Sequence, residues 1–182
     1  MSNARSRWRP GDRRIDTASM IRVDQAGEYG ATRIYAGQLA ALGNHHPTAR
    51  LVHQMAAQEE RHLAFFDRMI ADRGVRPTVI QPLWQVAGFA LGAATAMIGP
   101  KAAMACTAAV EDEIDAHYGE QRRDLGDSDP PLSAAIEQFQ AEELEHRDTA
   151  LAHGAEDAVA YPVLYHVIRA GCRAAIALSK RI

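Results

Sequence analysis

The sequence predicts an all-α protein: a four-helix bundle with two additional helices, one of them apolar. Three observations carry that expectation. Alanine is abundant and aromatics make up only 6% of the 182 residues. Ala, Leu, Glu and Arg favour helix, and no β-branched run of strand length competes. Between glycine and proline breaks, apolar residues recur at steps of three and four, the pattern of one helix face.

The first helix runs over residues 16 to 42 and stops at Gly43-Asn44, with Ile21, Glu28, Tyr35 and Leu42 on one face. The second starts near Pro47-Thr48 and ends at Gly74; its stripe is Leu51, Met55, Glu59, His62, Phe66 and Met69. A third, of different character, occupies residues 77 to 100. The fourth runs over 101 to 125 with Met104, Glu111, Ile114 and Tyr118 aligned, and stops at Gly126-Asp127. Ser128 or Asp129 caps the fifth, whose first turn takes Pro130 and Pro131. Its stripe is Leu132, Ile136, Phe139, Glu143, His146 and Ala150, and Gly154 ends it. The sixth spans 156 to 180, with Pro162 early enough to be tolerated.

A net charge of −3 gives no basis for nucleic-acid binding. Cys106 and Cys172 are the only cysteines and form no CxxC, which argues against a disulfide scaffold or a zinc site and fits a reducing compartment. Five arginines and one acid, Asp12, fall in the first fourteen residues. Residues 1–15 therefore read as a disordered basic tail, with contact to anionic lipid as the alternative, and 16–182 as one domain.

Charged residues in a core-facing stripe are costly unless something compensates them. Here they are patterned. Glu59-Glu60-Arg61-His62 and Glu143-Leu144-Glu145-His146 are both ExxH motifs. Residues three apart on a helix are turned by about 300° and rise about 4.5 Å, so carboxylate and imidazole project together. One ExxH is weak; the repeat is strong. Glu28 precedes Glu59 by 31 residues, Glu111 precedes Glu143 by 32, and the halves are offset by 83 or 84. Two helical hairpins facing one another would bring Glu28, Glu59, His62, Glu111, Glu143 and His146 to one level of the core. This is the ligand set of ferritin-like di-iron and di-manganese proteins.

Two carboxylates about 4 Å apart repel by roughly 4 kcal/mol at an effective dielectric near 20. Two divalent cations would balance the four glutamates. Oxygen-rich ligands with one imidazole per metal suit iron or manganese better than copper or zinc. Glu60, Glu142 and Glu145 are expected to face solvent, and Asp112 to turn away from the metal face. His45, His46, His53 and His166 lack a carboxylate at ligand spacing and are expected to be ordinary surface or core residues.

The run Ile21-Arg22-Val23-Asp24-Gln25-Ala26-Gly27-Glu28-Tyr29-Gly30-Ala31 closely resembles the signature opening of the demethoxyubiquinone hydroxylases of ubiquinone biosynthesis. So do Arg33-Ile34-Tyr35-Ala36-Gly37-Gln38, the segment from Arg76-Pro77-Thr78 to Gly92, Ala103-Met104-Ala105-Cys106-Thr107, and the stretch from Glu142 to His146. The resemblance covers about residues 16 to 182. It implies a ferritin-like fold, a centre of two iron ions, O2 as co-substrate, and hydroxylation of the benzoquinol ring of a prenylated demethoxyubiquinol. It implies that NADH, or another reductant, supplies electrons through the quinone, and it maps a redox relay onto His117 and Tyr118. A core tyrosine with a satisfied hydroxyl is the alternative for Tyr118. Many members have glutamate where this chain has Asp112, which leaves the ligand count intact. The location implied is peripheral: the cytoplasmic face of a bacterial membrane, or the matrix side of the mitochondrial inner membrane. A homo-oligomer and contacts with other ubiquinone-biosynthesis proteins stay open.

Independently of that resemblance, residues 77 to 100 contain no charge. The length could span a bilayer, but Gln81, Pro82, Gln85 and three glycines make a poor span, and both flanks must return to one bundle. A membrane-surface helix opening the site to a prenyl tail is expected, with a buried core helix as the alternative. Trp84 and Phe89 would suit interfacial depth. Iron storage and peroxide consumption at a di-manganese site are the rival functions; a storage cage gives no reason for a long uncharged segment.

Overall fold

The computed structural model describes residues 15–43 and 45–181. Among the described residues six α-helices follow one another: α1 Thr17–Leu42, α2 Pro47–Arg73, α3 Gln81–Ile98, α4 Pro100–Leu125, α5 Pro130–Ala152 and α6 Tyr161–Ser179, with a 3-10 turn at Ala155–Asp157. No strand occurs among the described residues. The expected basic tail lies almost wholly outside them, as does Asn44.

The helix limits follow local chemistry. Asp16 caps α1 by accepting from the Ser19 backbone N–H at 3.0 Å, and Asp129, not Ser128, caps α5 by accepting from Leu132 N–H at 3.3 Å. Pro47 and Pro130 open their helices, where a missing N–H costs nothing. Gly74 ends α2 at φ 63°, a left-handed value that a side chain would oppose. Two expectations need correction. The third helix covers 81–98 and not 77–100, because Pro82 must sit in a first turn and Pro77 is left outside any helix. The sixth begins at Tyr161 and not at 156, for the same reason at Pro162; Ala160 before it takes a left-handed φ of 56°.

Helices α1 and α2 form one hairpin and α4 and α5 the other; α3 packs on α1 and α6 on α4. This is the ferritin-like bundle with two added helices, each covering a helix that supplies a single glutamate. The α1–α3 packing is close enough for backbone contact: a Cβ on Gly92 would collide with the Ile34 carbonyl and one on Gly37 with the Phe89 carbonyl.

The core is divided along the bundle axis. Tyr35, Val52, Met55, Met104 and Ala150 pack at one end, and Ile21, Phe66, Tyr118, Ile136 and Phe139 at the other. On every bundle helix the charged residues of the stripe fall between those two apolar clusters. All four stripes are inward as the spacing predicts, with Leu42, Leu51 and Ile114 only partly buried.

α3 is not a buried core helix. Only Gly92, Thr95 and Ala96 are buried along it, while Leu83 is 53%, Val86 68% and Met97 74% exposed. Val163 and Val167 of α6 are similarly open, at 63% and 65%. Trp84 turns inward: its indole N–H donates to Ser179 Oγ at 3.2 Å and ties α3 to α6. No helix among the described residues is long and apolar enough to cross a membrane.

Candidate metal centre

Glu28 comes from α1, Glu59 and His62 from α2, Glu111 from α4, and Glu143 and His146 from α5. The structure brings all six together, each no more than 2% exposed. They form two overlapping groups, Glu28/Glu59/His62/Glu143 and Glu59/Glu111/Glu143/His146, in each of which one ligand atom per residue lies within 4.8 Å of the others. Glu59 and Glu143, the ExxH glutamates, belong to both groups, which is where bridging carboxylates would sit. Glu28 and Glu111 each belong to one.

The carboxylates are under-satisfied. Glu28 Oε2, Glu59 Oε2 and Glu111 Oε2 are buried without a hydrogen-bond partner, and Glu59 Oε1 has only the His146 ring nitrogen at 3.1 Å, out of hydrogen-bond alignment. Each such orphan is costly, and a bound cation removes the cost. The donor set, four carboxylates and two imidazoles, therefore fits two divalent metal ions. Without them the cluster holds protons. Burial first, then the neighbouring charges of Glu143 and Glu28, pushes Glu59 well above the usual carboxyl range; burial and the charge of Glu143 do the same for Glu111. Glu143 is raised by burial against the opposing hydrogen bond to His62. Burial pulls His62 down, but the carboxylates of Glu143 and Glu28, 3.1 and 3.5 Å from its Nδ1, prevail and hold it up to about 11. His146 is pushed down by burial.

Each singly used glutamate meets a buried tyrosine. Tyr35 donates its hydroxyl to Glu111 Oε1 at 2.7 Å, and Tyr118 donates to Glu28 Oε1. Both tyrosines are held well above their ordinary range by burial and by those carboxylates. His117 stands off the centre. Its Nε2 is 3.4 Å from Asp24 Oδ1 and 3.0 Å from Gln121 Nε2, its ring stacks near Tyr118, and Gln121 donates to Asp24 at 2.7 Å. Asp24 is raised by burial, against the lowering hydrogen bond to His117.

Of the neighbouring acids, Glu60 and Glu145 are exposed as expected. Glu142 is not fully in solvent: it is partly buried, and its Oε2 lies 2.9 Å from His62 Nε2. Gln58, which the periodicity did not mark, lies 2.9 Å from His146 Nε2. The missed signal was positional, since each directly precedes an ExxH glutamate. Asp112 turns toward α6 and α5, accepting from the Tyr165 hydroxyl at 2.6 Å and from Arg147 at 3.4 Å. Buried Glu113 accepts from Arg169 and Arg173, each at 3.0 Å, fastening α6 to α4. His46 caps α2, and His45, His53 and His166 are exposed.

Beside the centre an apolar groove of about 430 Å³ opens between α1, α3, α4 and α6. Gly27, Gly30, Leu91, Val110, Ile114 and Ile168 are among its walls, and Gly27 and Val110 are the chain neighbours of Glu28 and Glu111.

Comparison with known proteins places the chain in a family. A family model described as ubiquinone biosynthesis protein COQ7 covers residues 16–179. The chain is 57% identical over 162 residues to a Rhodospirillum rubrum protein named 3-demethoxyubiquinol 3-hydroxylase, spanning 89% of this chain and 76% of that one. It is 52% identical over 167 residues to the human mitochondrial NADPH-dependent 3-demethoxyubiquinone 3-hydroxylase, spanning 90% and 76%. It is 42% identical over 179 residues to the mitochondrial 5-demethoxyubiquinone hydroxylase of Saccharomyces cerevisiae, spanning 90% and 77%. With a matched family model over nearly its whole length and such relatives, the chain belongs to the COQ7 family of ubiquinone biosynthesis proteins.

Proposed function

We propose that this protein hydroxylates the benzoquinol ring of a prenylated demethoxyubiquinol with O2, using two iron ions held by Glu28, Glu59, His62, Glu111, Glu143 and His146. The observation that carries this reading is the pair of overlapping buried carboxylate–histidine groups set against an apolar groove. The names of the relatives select the substrate. Two irons bound there supply the two-electron chemistry with O2 that no side chain provides.

The chain's own residues do the rest. Glu59 and Glu143, which belong to both groups, would help to hold both ions. Tyr35 and Tyr118 orient Glu111 and Glu28 through their hydroxyls. The groove takes the apolar ring and tail and excludes water beside the centre, where glycines at 27 and 30 leave room for a ligand against α1. Exposed Leu83, Val86 and Met97 of α3, with Val163 and Val167 of α6, enter the surface of a bilayer and deliver a substrate dissolved there. The protein is thus peripheral, on the cytoplasmic face of a bacterial membrane or the matrix side of the mitochondrial inner membrane. A reduced nicotinamide nucleotide supplies electrons, and His117 and Tyr118, whose rings stack and of which Tyr118 donates to Glu28, relay them.

Quinone mass spectrometry tests the reading on three strains: one lacking the protein, one rescued by the wild type and one carrying Glu143→Ala. The first and third should accumulate demethoxyubiquinone. The rescued strain, grown under isotopically labelled O2, should carry the label in the new ring oxygen. Label arriving from water, or normal ubiquinone in the strain lacking the protein, would overturn it. An iron-storage role would then account better for the metal cluster.

A further inference from the structure

The two histidines of the centre are held from behind by chemically different groups. His62 turns Nδ1 toward the carboxylates, 3.1 Å from Glu143 and 3.5 Å from Glu28, and its Nε2 lies against Glu142 Oε2. His146 turns Nδ1 inward, 3.1 Å from both Glu59 and Glu143, and its Nε2 lies against Gln58 Oε1. With each Nδ1 used to hold a metal ion, each Nε2 would carry the hydrogen and donate it. One imidazole therefore donates to a carboxylate and the other to a neutral amide.

The internal repeat sharpens the contrast. Gln58 precedes Glu59 and Glu142 precedes Glu143, so they are equivalent positions of the two halves. Each reaches across the bundle: Glu142 of α5 holds His62 of α2, and Gln58 of α2 holds His146 of α5. Elsewhere the centre is nearly two-fold. Glu59 and Glu143 are shared, and Glu28 and Glu111 each receive one tyrosine hydroxyl. The symmetry breaks at 58 and 142. Gln138 also donates to Glu142, at 2.8 Å, and Arg61 lies 3.6 Å away. Arg61 is 62% exposed, so its charge is largely screened by solvent. A carboxylate behind an imidazole raises its basicity toward a metal; an amide fixes the ring without adding charge.

We propose that Glu142 and Gln58 are positioning residues that make the two metal positions unequal, so that the His62 position fills first and empties last. The inference rests on the metal reading above. It can be tested on the metal-free full-length chain, titrated anaerobically with isotopically enriched Fe(II). Free iron is followed by chelator competition, and Mössbauer spectra are taken at one and two equivalents.

The wild type should bind in two steps differing by about tenfold or more, with one ferrous doublet dominant at one equivalent. Glu142→Gln keeps the size and the hydrogen-bond acceptor but removes the charge. It should weaken the first step by about 10- to 100-fold and populate both doublets at one equivalent. Gln58→Glu should strengthen the second step toward the first. If Glu142 only braces the fold, Glu142→Gln is silent in both readouts, and that result overturns the proposal. Should Glu142→Gln fail to fold by circular dichroism, Gln58→Glu decides, and an unchanged second step overturns it. Equal steps in the wild type overturn this inference alone, whereas a wild type that binds no iron overturns the metal reading with it.

Discussion

The Tyr35 hydroxyl donates to Glu111 Oε1 at 2.7 Å, bridging α1 and α4 across 76 residues of sequence at full burial. Tyr35 thus closes the metal centre toward one apolar cluster while satisfying half of a carboxylate whose other oxygen has no partner. Tyr35→Phe removes the donor and leaves the acceptor buried. The metal-free protein should lose about 1–3 kcal/mol, measured by denaturant titration. Metal loading should recover part of the loss, because a bound cation would satisfy the same carboxylate. An equal loss with and without metal would mean that Tyr35 serves packing alone.

The ligand assignment makes a contrast within one helix. Glu143→Ala and His146→Ala remove groups aimed at the centre, while Glu145→Ala trims an exposed side chain of α5. Metal analysis after anaerobic Fe(II) loading should find about two irons per chain in wild type and in Glu145→Ala. The two ligand variants should lose iron while circular dichroism keeps most of the helix signal. Full iron retention in both ligand variants would sink the assignment.

The helix faces and the six clustered residues were legible because a 3.6-residue period leaves core positions visible in the sequence. Glu28, Glu59 and Glu143 stood out as charges where charge is expensive. The partners behind them were not legible. Glu142 and Gln58 lie next to ligands on a partly buried flank, and only the fold brings each within reach of the imidazole on the other helix. Helix starts slipped at α3 and α6, where Pro82 and Pro162 set the first turn more strongly than the apolar pattern did. The use of Gly37 and Gly92 to let α1 and α3 touch backbone to backbone needs the tertiary structure, since neither has an unusual neighbour in sequence.

Metal binding should tighten as pH rises. Glu59 and Glu111 sit well above their ordinary value of 4.5, burial being the first cause, and His62 is held up to about 11 from 6.5 by Glu143 and Glu28 against the pull of burial. Above those ordinary values the folded metal-free chain keeps protons that the unfolded chain has released. Its stability therefore falls with pH, the His62 contribution being complete below 6.5 and fading toward 11. His146, depressed by burial, acts in the opposite sense as pH falls through its unfolded value, but it is one group against four, since Glu143 is raised as well. Bound metal displaces the held protons. The Tm gap between loaded and metal-free protein should widen between about pH 5.5 and about pH 8. A gap that stays constant or narrows, by scanning calorimetry, contradicts the proton-filled cluster.

The exposed apolar faces give a membrane prediction. Leu83 and Val86 are 53% and 68% exposed on α3, so aspartate at both should leave the fold intact. It should also abolish flotation with liposomes, because charge below the headgroups is expensive. Co-flotation equal to wild type would show that α3 does not enter the bilayer. Gly92→Ala is the structural counterpart: the added methyl meets the Ile34 carbonyl and should cost about 1–3 kcal/mol by separating α3 from α1.

Tyr118 separates a relay from a simple brace. Its hydroxyl donates to Glu28 Oε1, its ring lies 6.3 Å from that of His117, and it is buried among Ile21, Phe66 and Phe139. Phenylalanine fills nearly the same volume, so Tyr118→Phe keeps the packing and removes only the hydroxyl. If that hydroxyl takes part in passing electrons, turnover driven by a reduced nicotinamide nucleotide should fall by at least about tenfold, or about 1.4 kcal/mol in the barrier. Iron content should stay unchanged, and turnover should recover when a small chemical reductant reduces the centre directly. Some stability is lost on either reading, because Glu28 loses a buried donor just as Glu111 does in Tyr35→Phe; a brace alone predicts lower iron retention and the same relative rate with either electron source. Measuring iron and turnover with both reductants on one preparation decides between them. A Tyr118→Phe protein that holds its iron and keeps full nicotinamide-driven turnover removes Tyr118 from the electron path and leaves it a core tyrosine with a satisfied hydroxyl.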